Sequence, residues 1–180
     1  MRLERLTEWT DPRFAGMWEL YEQSFPAYET RYQEDQKRAM TDPDYCFDLL
    51  YEQDELQGFV MYWNAPDFLY VEYIATLPTV RGRGYGTQVL QKLQEKGKRI
   101  LLEIDPPCDE ISLRRRGFYQ RAGFKQNDFD YIHIPYKEGE EGHPLVIMTW
   151  PDQVGQKEFD AFRCYMRDVV MKYSENPNKI

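Results

Sequence analysis

The chain has 180 residues, of which 42% are hydrophobic and 16% aromatic, and its formal charge is −8. That length and apolar content suit one compact domain with a real core and exclude a disordered polymer. The acidic balance argues against a nucleic-acid coat or a binder of anionic membranes, both of which need a basic face, and suits cationic or amine-bearing ligands better.

Residues 2–6 alternate apolar and charged side chains and predict a first strand. Asp11-Pro12 offers an N-cap with proline at the first helical position, and Phe14, Met17, Trp18 and Tyr21 follow at helical spacing until Ser24-Phe25-Pro26. The polar segment 28–40 predicts a second helix. Tyr45–Glu52 and residues 56–63, joined by Gln53-Asp54-Glu55, predict a hairpin. Phe68–Thr76 is mostly apolar on both faces, as in a central strand. After a glycine-rich turn, Val89, Leu90 and Leu93 mark a helix that Gly97 can stop. Residues 99–105 are β-rich and broken by Pro106-Pro107, and 111–122 suggest a short helix. A strand is expected from residue 124 onward, then a charged loop over 137–144 and a last strand over 145–149. Residues 153–173 predict one final helix with Phe159, Phe162, Met166, Val169 and Tyr173 on a single stripe, docked on its own domain or forming a dimer seam. The organisation expected is therefore one α/β domain over 1–150, a mixed sheet with interleaved helices, and a helical extension over 151–180.

The turn Arg81-Gly82-Arg83-Gly84-Tyr85-Gly86-Thr87 is the most informative stretch. Alternate glycines let the backbone curl tightly and let an anion approach its N–H groups. The helix that follows points its positive dipole end at the same place, and Arg81 and Arg83 add cationic neutralisation suited to a diphosphate. A plain tight turn would use glycine too, but the two arginines and the helix start favour phosphate. A P-loop fails because no lysine follows Gly86, and a dinucleotide fingerprint fails because Thr87 stands at its third glycine.

Arg81-Gly82-Arg83-Gly84-Tyr85-Gly86 resembles the acetyl-CoA loop, (Arg/Gln)-x-x-Gly-x-(Gly/Ala), of the GNAT superfamily of N-acetyltransferases. Ile74-Ala75-Thr76-Leu77-Pro78 is similar to the segment entering that loop, and Phe118-Tyr119-Gln120-Arg121-Ala122-Gly123-Phe124 is similar to the family's FYxxxGF segment. The resemblance implies a mainly antiparallel sheet of six to seven strands, splayed between the fourth and fifth, with flanking helices. It implies acetyl-CoA as donor, its diphosphate held by backbone amides from Arg81 to Thr87. The pantetheine arm would run along Ile74, Ala75 and Thr76, and Ser112 stands where relatives place an asparagine near the cofactor. Acetyl would pass to a primary amine of a small molecule or peptide by direct attack in a ternary complex. A non-catalytic acyl-CoA-binding module is the alternative.

An alkyl amine with a pKa near ~10 must lose a proton before it attacks, and the leaving thiolate must gain one. Tyr119 is the expected general acid, against a reading as an aromatic packed beside Phe118 and Phe124. Glu72 interrupts an apolar strand, where a carboxylate is costly unless it is paired or faces a cleft; it is the expected base, with a salt-bridged strand glutamate as the competing reading. Glu103 is an alternative base or a polar strand end. Tyr28, Glu29 and Arg31 lie where relatives build the acceptor wall. His133 and His143, too few for a metal site, read as strand or loop histidines, and no metal is expected. Arg114, Arg115 and Arg116 read as a solvated face. Cys46, Cys108 and Cys164 form no CxxC and read as reduced thiols. With no apolar run near the ~20 residues of a membrane span and no secretion segment at the start, a cytoplasmic monomer or homodimer that binds neither membrane nor nucleic acid is expected.

Overall fold

The structure is a computed structural model that describes residues 1–175. Seven strands form one sheet: β1 (Arg2–Arg5), β2 (Tyr45–Glu52), β3 (Glu55–Asn64), β4 (Phe68–Thr76), β5 (Arg99–Ile104), β6 (Lys125–Gln126) and β9 (Val146–Trp150). Their order is β1-β2-β3-β4-β5-β9-β6, and only the β4–β5 pair is parallel. This is the mixed, mainly antiparallel architecture expected. The helices are α1 (Pro12–Ser24), α2 (Gln33–Ala39), α3 (Tyr85–Gln94), α4 (Glu110–Arg121) and α5 (Gln156–Tyr165), and a small second sheet pairs β7 (Ile132–His133) with β8 (His143–Pro144).

Two irregularities in β4 shape everything that follows. Parallel pairing with β5 runs only from Phe68↔Arg99 to Val71↔Leu102, and beyond it the strands part. On the other edge, Met61 pairs with Tyr73 and Tyr62 with Val71, so Glu72 is an unpaired bulge residue. Near the far end of this strand pair, Gly58 faces Thr76 with φ +153°, and a Cβ there would stand 2.1 Å from the Ala75 carbonyl oxygen. Only glycine lets the two backbones approach so closely.

The core is aromatic. Tyr21 of α1 is fully buried and meets the rings of Trp18, Phe25, Phe59 and Tyr73. α1 packs on β3 and β4, α3 on β4 and β5, and α4 on β5 and β6.

Three elements differ from the sequence expectation. The helix expected over 28–40 is a single 3-10 turn (Ala27–Glu29) followed by α2, because Thr30 to Tyr32 run extended between them. The strand expected from residue 124 stops after two residues in β6. There the Asn127 amide donates to Thr149 Oγ1 (2.9 Å) and its carbonyl accepts from Val154 N–H (2.9 Å), turning the chain out of the sheet. The final helix is α only to Tyr165 and continues as a π turn (Met166–Val170) and a 3-10 turn (Met171–Tyr173). The wider π turn moves the apolar stripe on by one residue, so Val170 is buried where Val169 was expected. The stripe is covered within this chain: Tyr173 stacks on Trp63 (6.0 Å), and its hydroxyl donates to Asp42 Oδ2 (2.9 Å).

Candidate active site

Where β4 and β5 part, a cleft of about 480 Å³ opens. One wall is the strand edge Glu72, Tyr73, Ile74, Ala75 and Thr76, left without a β5 partner. Arg81 and Tyr119 stand toward one end and Glu29, Glu103 and Asp105 toward the other. The backbone polar groups of that edge are thus free to bond an extended ligand.

The glycine turn sits beside the end of this strand. Gly82 (φ +80°) and Gly84 (φ +83°) are left-handed, and a Cβ on either would meet nothing within 4 Å. Gly84 is the N-cap of α3 and supplies no side-chain cap. The first-turn amides of Tyr85, Gly86 and Thr87 therefore point outward with the positive end of the helix dipole behind them. Such a corner can hold a phosphate-like anion. Arg81 and Arg83 are exposed beside it, and Arg81 Nε donates to the Thr76 carbonyl at 3.5 Å.

Ser112 is not in this corner. It is buried in the first turn of α4, where its hydroxyl accepts from Asp109 N–H (3.0 Å) and its own N–H donates to Asp109 Oδ1 (2.8 Å). That capping box uses the hydroxyl within the helix start, which is why it does not reach the cleft.

Tyr119 lines the cleft from α4, its ring between Phe118 (5.0 Å) and Phe124 (5.7 Å). Burial pushes its phenol up to about 12, against the pull of Arg115, so the proton stays on at neutral pH. Among the described residues nothing hydrogen-bonds that hydroxyl.

Glu72 and Arg31, expected as base and acceptor-wall residue, are instead partners. Arg31 Nη1 and Nη2 donate to the two carboxylate oxygens of Glu72 at 2.9 and 2.7 Å, and Tyr136 Oη donates to Oε1 at 2.7 Å. The side chains of Arg31 and Glu72 are 0% and 1% exposed, and Arg31 also lies over the Tyr136 ring at 4.0 Å. What the cleft sees of Glu72 is main chain. With both oxygens engaged, the carboxylate anchors the bulge rather than offering a lone pair to a ligand.

The acidic end continues into an inner cavity of about 50 Å³, whose lining includes Tyr70, Glu103, His133 and Tyr136. Glu103 Oε2 accepts from Tyr70 Oη (2.9 Å) and lies 3.1 Å from His133 Nδ1. Burial raises the Glu103 carboxyl, but the charge and hydrogen bond of His133 hold it below its ordinary range. Burial likewise pushes His133 down, and Glu103 more than reverses this, leaving the imidazole above its usual 6.5. Asp105 pairs with Arg115. Among the described residues, Glu29 has no ion-pair partner except His143, whose Nε2 is 3.8 Å away. Burial, with His133 beside it, holds His143 below 6.5, so it is neutral at pH 7. Burial first, then the charge of Asp105, raises the Glu29 carboxyl. Tyr28 is exposed on the same rim, edge-on to His143 at 5.2 Å.

His133, Tyr136 and Tyr70 were missed as site residues. The first two sit in an irregular segment with no periodicity to read, and Tyr70 looks like any strand aromatic. Glu103, a charge inside the apolar run 101–104, and the acceptor-wall residues Tyr28 and Glu29 signalled this end of the cleft.

The sequence profile of the Acetyltransferase (GNAT) family matches residues 8–124. The Bacillus subtilis (strain 168) protein YjbC is 29% identical over 112 residues, which is 61% of this chain but spans only 58% of that protein's length. A solved structure of a GNAT-family protein from Bacteroides thetaiotaomicron is 32% identical, covers 95% of this chain and 98% of its own, and superposes with a TM-score of 0.88. An aminoglycoside 6'-N-acetyltransferase complexed with coenzyme A shares the fold at a TM-score of 0.58 and 15% identity, over 87% of this chain and 100% of its own.

Proposed function

The chain belongs to the GNAT family of acetyltransferases, and from that premise we propose that it transfers acetyl from acetyl-CoA to a primary amine by direct attack in a ternary complex. The observation that carries this reading is a cleft that starts at Arg81, beside the open first turn of α3, runs along a strand edge without a β5 partner and ends among carboxylates. The groups present fit the donor: open amides over Tyr85 to Thr87 for the diphosphate, and the free edge at Ile74 and Thr76 for the pantetheine amides. When bound, acetyl-CoA supplies an activated acyl carbon with a thiolate leaving group.

The protein's part is to align two reactants and manage protons. Tyr119, protonated at neutral pH, is the donor to the departing sulfur. The acceptor end selects charge. Glu72 is paired with Arg31 and Asp105 with Arg115, and Glu103 is hydrogen-bonded by Tyr70 and His133, which leaves Glu29 with only the neutral His143 nearby among the described residues. A partly buried lone carboxylate favours a cationic ligand, so the acceptor is a protonated amine when it arrives. Glu29→Gln is expected to raise the KM for the amine about tenfold, the loss of one charge-assisted hydrogen bond, with affinity for CoA unchanged.

Calorimetry with coenzyme A, followed by thiol release from acetyl-CoA with a panel of alkyl amines, lysine amide and short peptides, tests the whole reading. Heat with coenzyme A and thiol release with at least one amine are expected. Gly84→Ala, which forces a Cβ onto a left-handed residue at a cost of about 1–2 kcal/mol, should weaken CoA binding roughly tenfold. Tight CoA binding with no thiol release from any amine would favour a non-catalytic acyl-CoA-binding module.

A further inference from the structure

We propose that His133 is the base that removes the proton from the incoming ammonium, with Glu103 as its positioning residue. The proposal rests on the amine-acetylation reading and assigns its proton acceptor. The two side chains come from distant elements, β7 and β5, and are 4% and 8% exposed. Glu103 Oε2 accepts a hydrogen bond from the Tyr70 hydroxyl and faces His133 Nδ1. A carboxylate oxygen only accepts, so Nδ1 carries the imidazole proton, and the lone pair of the neutral ring is on Nε2. That Nε2 is buried without a hydrogen-bond partner among the described residues, as is Glu103 Oε1.

Orphaned polar atoms of this kind are costly unless something else meets them. Both side chains belong to the lining of the inner cavity of about 50 Å³, room for a few waters. The cavity shares Glu29, Glu72, Tyr73, Glu103, Asp105 and Arg115 with the main cleft, so water in it is the relay between Nε2 and an amine held at Glu29 in this proposal. The other carboxylates serve less well. Glu72 has both oxygens engaged by Arg31 and Tyr136, and Asp105 is ion-paired with Arg115 through Oδ2. Glu29 is the counter-ion that holds the ammonium.

The charged and titratable groups around His133 are Glu103 on β5 and Asp105 just after it, Tyr70, Glu72 and Tyr73 on β4, Glu29 on the turn before α2, His143 on β8, Tyr136 on the loop between β7 and β8, and Arg115 on α4. The anions outweigh burial and hold the imidazole above 6.5, which makes it a stronger base that must first be neutral. Activity therefore rises with pH through a value above 6.5. In the step itself, the ammonium N–H bond breaks and its proton passes through the water to Nε2, giving imidazolium beside the Glu103 carboxylate. The freed nitrogen pair forms the amide bond to the acyl carbon, and the carbon–sulfur bond breaks. Tyr119 protonates the thiolate, and the second amine proton returns to Tyr119 through cleft water. His133 loses its proton to solvent.

The chain has two histidines, so ring nitrogen-15 spectra of the wild type and of His143→Gln assign His133 directly. At pH 9 the Nδ1–H tautomer is expected, with a titration midpoint above 6.5 that falls in Glu103→Gln. In the thiol-release assay with the panel amine that works best, the kcat/KM limb should follow that midpoint in both proteins. His133→Gln should lose the limb and about 100-fold in kcat with calorimetric CoA affinity retained. An Nε2–H tautomer, a midpoint indifferent to Glu103→Gln, or a limb that survives in His133→Gln overturns the proposal. Failure of the transferase reading shows differently, as no thiol release by the wild type with any amine at any pH.

Discussion

Replacing Arg31 with methionine is expected to cost the fold about 3–5 kcal/mol, the penalty for leaving a buried carboxylate without its counter-ion. The Arg31 side chain has no solvent exposure and Glu72 has 1%, so water cannot take over the lost contacts. Tyr136 supplies one remaining hydrogen bond to Glu72 Oε1 but no positive charge. The pair also ties together three distant pieces of chain: the segment ahead of α2, the bulge of β4 and the loop after β7. The companion double variant, Arg31→Met with Glu72→Met, should recover much of the loss, because removing both charges removes both desolvation penalties. Urea unfolding of the wild type, the single variant and the double variant measures this. A single variant within 1 kcal/mol of wild type would mean that Glu72 finds another partner or takes up a proton.

Tyr119→Phe is expected to lower kcat about 100-fold, the low end of what a positioned proton donor contributes, while leaving affinity for coenzyme A within a factor of two. The substitution removes one oxygen and keeps the ring between Phe118 and Phe124, so packing is conserved. Burial holds the phenol at about 12, high enough to stay protonated throughout the working range. Among the described residues the hydroxyl has no hydrogen-bond partner to lose, so stability should change little. Thiol release and calorimetry on one protein sample separate the two quantities. Equal loss of turnover and of CoA affinity would point to a packing role instead.

What was readable in advance divides by sequence distance. The anion corner is a local object. Arg81 to Thr87 are consecutive, and the positive φ of Gly82 and Gly84 and the open first turn of α3 follow from residue types at adjacent positions. The strands of the large sheet were legible for the same reason, since alternation and turn residues act within a few positions. The conformation at 166–170 was not, because a π turn shifts the inward stripe by a single residue, from Val169 to Val170, and an apolar residue stands at both positions.

The site chemistry depends on meetings that no local pattern encodes. Glu72 is the clearest example. By itself the sequence determined that a carboxylate would interrupt a buried strand, and that it would have to be paired or face a cleft. The tertiary structure decided for pairing, because the bulge brings Glu72 to Arg31, 41 residues away, and to Tyr136, 64 residues away. Glu103 of β5 and His133 of β7, 30 residues apart, meet in the same way in the lining of the inner cavity. Backbone geometry at a turn is set by neighbours along the chain, whereas the ionic state of a buried side chain is set by neighbours in space, and those exist only once the sheet has closed over them.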